Sequence, residues 1–264
     1  MQVIDLDDAL CPLYFRCLEE RSTETAEAEE HRARWYESFR DRGLGVKLAR
    51  ADDGRIVGMI QYMPAEQAFI DGRDLYFVLC LRVLPAEAGE APRRGVGSAL
   101  LAAAEDDARA RGACGVAAWG MALPPGLRAS WFRRRGYRRA DSQGRRVLLW
   151  KPFDDHAEPP RWIRGGDPAA PGDGHGRVRV TAFRNGWCSL QNVVFERARR
   201  AAADFGDEAV FECVDTADPG AVQAWGQVDG LFIDGVPVRT NPPPSYRKLH
   251  ARLARAVRWS RRAI

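Results

Sequence analysis

Apolar positions along this chain follow two different periods around one junction. Residues 75–84 are apolar almost throughout, the pattern of a strand buried on both faces. From Gly97 the spacing turns helical. Leu100, Leu101, Ala104 and Ala108 share one face, Glu105, Asp106 and Arg109 point away, and Gly112 supplies a stop. Upstream, residues 2–7 read as a short strand and residues 9–20 and 26–42 as helices. Residues 46–49 and 56–62 read as a hairpin across Asp52-Asp53-Gly54. Downstream come a strand at 115–121, a turn at Pro124-Pro125-Gly126, a helix at 127–135 closed by Gly136-Tyr137, and a strand at 146–150.

The pattern lapses at residues 152–177, which are rich in Pro and Gly and show no periodicity. This stretch reads as a linker, docked through Trp162 and flexible at 172–176. It separates a first domain at 1–151 from a second at 178–264. The second reads as strand 178–183, helix 189–205, strand 209–214, short helix 219–226, a hairpin pivoting on Asp234-Gly235, and a basic helix capped by Ser245. Both domains are therefore expected to be of the α/β (α+β) class.

Composition changes this picture little. The chain has 264 residues, and 45% of them are hydrophobic, enough for ordinary globular cores. Its net charge of +4 comes mostly from Arg and is weak evidence for a nucleic-acid partner. The six Cys form no CxxC pair, so neither a zinc site nor a disulfide framework is expected. With no signal-like start and no long apolar run, the expectation is a cytoplasmic protein without metal or membrane partner.

The strand–loop–helix junction carries the chemistry. Gly95 and Gly97 let backbone approach a ligand, helix-start N–H groups converge on an anion, and Arg93 and Arg94 add charge.

With that order of elements, residues 1–150 resemble the GCN5-related N-acetyltransferases. The resemblance rests on the strand leading into Arg94-Gly95-Val96-Gly97-Ser98-Ala99, the helix and strand after it, and Ala129-Ser130-Trp131-Phe132-Arg133-Arg134-Arg135-Gly136-Tyr137. It implies a mixed sheet splayed between its fourth and fifth strands, with acetyl-CoA in the gap and an acceptor amine attacking without an acyl-enzyme. The implied cofactor contacts are Leu81, Arg82, Val83, Arg93, Arg94, Gly95, Val96, Gly97, Ser98, Ala99, Ser130 and Phe132. Backbone near Leu81 would bond the thioester carbonyl. Two departures stand out: Pro92 where the family usually has Gln or Arg, and Phe132 where many members carry a proton-donating Tyr.

Glu66 is the candidate general base, and Tyr76 and Tyr62 are candidates to face the acceptor. Cys80 reads as a small hydrophobe, and the four His receive no role. The acceptor class is expected to be a small-molecule amine. A tRNA or carrier-protein donor, or a non-catalytic or thiol-redox binding module, is the alternative.

The second domain resembles the thioredoxin-like module behind the acetyltransferase domain of YoaP-like proteins. The similarity lies in Asn185-Gly186-Trp187-Cys188 and in Leu231-Phe232-Ile233-Asp234-Gly235 followed by Pro242-Pro243-Pro244-Ser245. Cys188 at a helix start is expected to be reactive. Gln191 three residues on offers no second thiol, and Cys213 is expected to be too buried to substitute.

Overall fold

The computed structural model describes residues 1–19, 22–86, 95–123, 126–165 and 176–261. The chain divides into two compact units, Met1–Glu19 with Glu37–Ile163, and Glu20–Tyr36 with Arg164–Ile264. Through residue 163 the elements are β1 (Gln2–Asp5), α1 (Cys11–Phe15), α2 (Thr23–Phe39), β2 (Gly45–Arg50), β3 (Ile56–Pro64), β4 (Ile70–Asp71) and β5 (Leu75–Val83). Then follow α3 (Val96–Ala110), β6 (Gly115–Met121), α4 (Ala129–Arg133), β7 (Arg138–Gln143), β8 (Arg146–Pro152) and β9 (Arg161–Trp162).

Seven strands of the first unit form a sheet in the order β1-β2-β3-β5-β6-β8-β7. Every pairing in it is antiparallel except β5 with β6. A parallel pair needs a long crossover, and α3 lies within that connection. The apolar stripe expected on α3 is the one buried: Val96, Leu100, Leu101, Ala104 and Ala108 pack with Ile60, Val78 and Ala118 of the sheet.

Glu105 shares that buried face, against the reading that it points away. It is held by three groups. Tyr137 donates its hydroxyl to Oε1 at 3.0 Å, Lys151 donates Nζ to Oε2 at 2.6 Å, and Arg109 lies 3.9 Å away.

Three local expectations change. The helix read at 9–20 contracts to α1, after which the chain turns through Cys17 and Leu18, both left-handed at φ 58° and 65°. Strand β7 was not legible: its polar sequence pairs with β8 at the sheet edge, where burial does not impose an apolar alternation. Within the stretch read as linker, Arg161–Trp162 pairs with β4, and Trp162 stacks on Phe69 at 6.1 Å. The docking expected through Trp162 is thus observed, while 166–175 lies outside the described residues.

The second unit contains β10 (Val178–Arg184), α5 (Ser189–Ala203), β11 (Ala209–Asp215), α6 (Pro219–Trp225), β12 (Leu231–Ile233), β13 (Val236–Pro237) and α7 (Tyr246–Ser260). Its sheet order is β11-β10-β12-β13, with β10 and β11 parallel and the other pairings antiparallel. Helices α5 and α7 bury Val194, Phe195, Ala198, Leu249 and Leu253 against Val178, Val180 and Ile233.

Residues 20–36, including most of α2, belong to this unit. There His31 meets Glu196 at 2.6 Å with both side chains 7% exposed, so this His has a structural partner that sequence spacing did not reveal. Cys213 is exposed, contrary to expectation, because β11 is the edge strand of the sheet.

Candidate active site

Strands β5 and β6 pair only from Leu75↔Gly115 to Val78↔Ala118. Beyond Val78, β6 stays with β8 as far as Met121↔Arg146, and β5 stays with β3 as far as Val83↔Gly58. The sheet therefore opens at its one parallel pair. Among the described residues, no strand pairs with 79–83 of β5 on the β6 side. Trp119 spans the start of the gap by donating Nε1 to the Leu79 carbonyl at 3.0 Å.

A bulge sets which side chains face which way. Gln61 pairs with Cys80 and Tyr62 with Val78, so β5 carries one extra residue, Leu79. Tyr76 and Val78 face α3 before the bulge, and Leu81 and Val83 pack on that same cluster after it. By alternation Cys80 and Arg82 lie on the opposite face.

On the α3 side, the helix begins at the open edge. Gly95 precedes it at φ 85°, a left-handed conformation that glycine adopts without steric cost. The amides of Val96, Gly97 and Ser98 have no helical carbonyl four residues back, whereas Ala99 donates to Gly95. Gly97 has no room to spare. A Cβ there would stand 3.3 Å from the Trp131 ring, 3.5 Å from Leu81 and 3.6 Å from Val83.

Arg135 ties α4 to this helix start, a role the sequence hid within the run Arg133-Arg134-Arg135. It donates Nε and Nη2 to Ser98 Oγ at 3.1 and 2.7 Å and Nη1 to the Trp131 carbonyl at 2.8 Å. Its guanidinium lies 3.6 Å from the centre of the Trp131 ring. Partial burial, and secondarily Arg134, lower its pKa, although an arginine stays charged at any working pH. The arrangement puts a fixed positive charge and helix-start amides on one side of the gap, which favours an anionic ligand.

On the opposite side Arg82 donates Nη2 to Glu19 Oε1 at 2.7 Å and Nη1 to Cys17 Sγ at 3.8 Å. Burial alone would lower the Arg82 pKa, but Cys17 and Glu19 outweigh it and raise it. The two left-handed residues Cys17 and Leu18 deliver Glu19 to this contact; non-glycine residues in that region cost roughly 1–3 kcal/mol each.

Of the residues expected from sequence, Leu81, Val83, Gly95, Val96, Gly97, Ser98 and Ala99 lie at the opening, and Ser130 is half-buried on α4. Arg82 lies at the same edge on the other face. Arg93, Arg94 and Pro92 are outside the described residues. Phe132 is fully buried between Trp131 and Tyr137, so its side chain belongs to the core rather than the gap.

Glu66 is exposed and accepts from the Asp74 amide at 2.8 Å, beside the N-terminal end of β5 and several residues from the opening. Tyr76 and Tyr62 are not brought there either. Their rings are 5.8 Å apart and pack near the C-terminal end of α3, where Tyr62 donates to Asp107 at 2.7 Å. Burial, reinforced by Asp107, pushes the Tyr62 pKa well up, the wrong direction for a proton acceptor. Cys188 is the N-cap residue of α5 in the second unit. Among the described residues no three His, Cys, Asp or Glu side chains stand together to hold a metal ion, and no helix is long and apolar enough to cross a membrane.

A mixed sheet opened at its parallel pair, with a glycine-led helix starting at the gap, is the architecture of an N-acetyltransferase domain. The sequence model of the acetyltransferase (GNAT) family matches residues 8–137, and this domain belongs to that family. Among solved structures it is similar to a GNAT family acetyltransferase from Brucella melitensis in complex with acetyl-CoA, at 17% identity over 60% of this chain and 90% of that one, TM-score 0.40. It is also similar to the PaiA N-acetyltransferase from Thermoplasma acidophilum in complex with coenzyme A, at 14% identity over 58% and 100%, TM-score 0.41. A third is the ribosomal-protein-alanine N-acetyltransferase from Brucella melitensis, at 19% identity over 58% and 100%, TM-score 0.42. No curated protein matches the chain.

Proposed function

We propose that the first domain transfers an acetyl group from acetyl-CoA to the amine of a small molecule by direct attack. The observation that carries this reading is that residues 80–83 of β5, with which no described strand pairs on the β6 side, lie beside the helix-start amides of Val96, Gly97 and Ser98. The pyrophosphate would lie on those amides, near the cation of Arg135. The thioester carbonyl would accept from β5 backbone near Leu81, where a preorganised donor stabilises the developing oxyanion. Holding acetyl donor and amine together supplies much of the remaining rate. Phe132 has no proton to give, so the CoA thiolate leaves as an anion and is protonated from water; a thiol of pKa ~8.5 makes this feasible.

The second domain, in this proposal, is a thioredoxin-like module in a recognition role rather than a dithiol catalyst. Its β-α-β-α-β-β-α order and β11-β10-β12-β13 sheet support the likeness. Gln191 at the position where a second thiol would stand argues against redox cycling. A cytoplasmic location belongs to the same proposal.

Calorimetric titration with CoA, followed by thiol release from acetyl-CoA over a panel of amines, tests the donor. Binding and amine-dependent release are expected. Absence of CoA binding, with instead a strongly salt-dependent association with tRNA, would transfer the donor reading to the alternative.

A further inference from the structure

The face of β5 turned away from α3 carries an ion pair that the acetyl-transfer reading leaves unused. Arg82 is 27% exposed and Glu19 40%, so both reach solvent at the opening. Among the described residues, Arg82 bonds only Glu19 and Cys17. A guanidinium has five N–H donors, so three remain. Glu19 accepts from Arg82 through Oε1, and no side chain among the described residues bonds its Oε2. The pair sits on the stretch of β5 past Val78, where no described strand pairs on the β6 side, with Arg82 next to Leu81. The turn that supplies Glu19 is built from two left-handed non-glycine residues, and strain of that kind concentrates at ligand clamps.

From this geometry we infer that the acceptor is a free α-amino acid, with Arg82 binding its carboxylate and Glu19 its ammonium group. This deepens the acetyl-CoA reading and rests on it. An adjacent cation and anion match a zwitterion whose own charges are one carbon apart, whereas a simple amine would leave the spare guanidinium donors unmatched. The step forms one N–C bond and breaks the thioester C–S bond. Of the three ammonium protons one stays on the amide, one balances the CoA thiolate and one passes to water.

The test uses the full-length protein with acetyl-CoA. Each of the twenty common α-amino acids is compared by thiol release with its amide and its decarboxylated amine. For at least one amino acid, kcat/KM should exceed that of both derivatives by about 30-fold or more, the scale of a lost charge contact. In Arg82→Gln that ratio should collapse toward one. In Glu19→Gln, KM for the amino acid should rise more than kcat falls. The double variant Glu19→Arg with Arg82→Glu keeps an ion pair but reverses it, so a merely structural pair would preserve the selectivity whereas a zwitterion clamp would lose it.

Equal rates for acid, amide and amine, or selectivity unchanged in Arg82→Gln, overturn the inference. If CoA binds but no turnover is seen, calorimetric titration of the CoA-loaded protein with the amino acids decides, and absence of binding overturns it. Failure of CoA itself to bind would instead refute the donor reading, and amino-acid titration of the free protein would still decide this one.

Discussion

Gly97→Val is the sharpest probe of the opening, because its effect is set by contacts that are already tight. A Cβ at this position meets the Trp131 ring at 3.3 Å and also touches Leu81 and Val83 at 3.5 and 3.6 Å. A side chain at this position therefore points between α4 and the end of β5. In Gly97→Ala, a few tenths of an ångström of Trp131 movement suffices, and roughly 1 kcal/mol of helix propensity offsets it. In Val, β-branching returns more than half of that gain, and two further methyls wedge against Leu81, Val83 and Trp131. Overpacking of this kind costs typically ~1–3 kcal/mol. Net destabilisation of about 1–2 kcal/mol would lower Tm by roughly 2–8 °C in a domain this size. Moving Trp131 also disturbs Arg135, whose guanidinium holds both the Trp131 carbonyl and Ser98. CoA affinity should therefore fall at least about tenfold in Val, equivalent to 1.4 kcal/mol, and within about threefold in Ala. Calorimetric titration with CoA and thermal melts without ligand give the two quantities. A Val variant that melts and binds like the natural protein would refute the assignment of this junction as the donor site.

Glu105→Ala strips the buried partner from both Tyr137 and Lys151 and should cost about 2–4 kcal/mol, read as a large drop in Tm; a loss under about 1 kcal/mol would count against the network. In the second unit, burial would raise the Glu196 pKa, but hydrogen bonds from His31 and Arg199 win and bring it from 4.5 to about 2. A folded pKa below the unfolded one gives stability that is complete above pH 4.5 and lost as pH falls toward 2, on the order of 3 kcal/mol in all. Denaturant titrations of Glu196→Gln should show a flatter pH slope in that window, and an unchanged slope would contradict the pairing. Cys188, at the start of a 15-residue helix, should alkylate faster near neutral pH than Cys213, whose thiol pKa is raised chiefly by desolvation despite its exposed residue. Peptide mass spectrometry of partly alkylated protein checks the order, and rapid insulin-disulfide reduction would overturn the non-redox reading.

The central strand, its glycine-led helix and the late Gly-Tyr were legible because each is fixed by local chemistry: continuous burial, a 3.6-residue stripe and a left-handed helix stop. Arg135 and Glu19 were not legible, because their roles depend on partners 37 and 63 residues away in sequence. Strand β7 escaped for the opposite reason, since a polar edge strand carries no alternation to read. Glu66 was chosen because it follows a strand end, and Tyr76 because it lies on a strand next to that of Tyr62; the structure places both away from the opening.

Tyr76 shows most directly why the site was hard to place. In a regular strand, Tyr76, Val78, Cys80 and Arg82 would share one face, and Arg82 would enter the apolar cluster under α3. Leu79 breaks that parity. By adding one residue opposite the Gln61–Tyr62 step, it returns Leu81 and Val83 to the α3 side and sends Arg82 to the other. A one-residue shift flips every later side chain, and no periodicity in 75–84 announces it, because nearly every residue there is apolar. The bulge also sits where β5 leaves β6, so the same residue that ends the parallel pairing sorts the open edge into two chemistries. Aliphatic side chains and helix amides lie on one side of it, and the Arg82–Glu19 pair lies on the other. In the proposed reaction, donor and acceptor would then approach this edge of β5 from opposite faces.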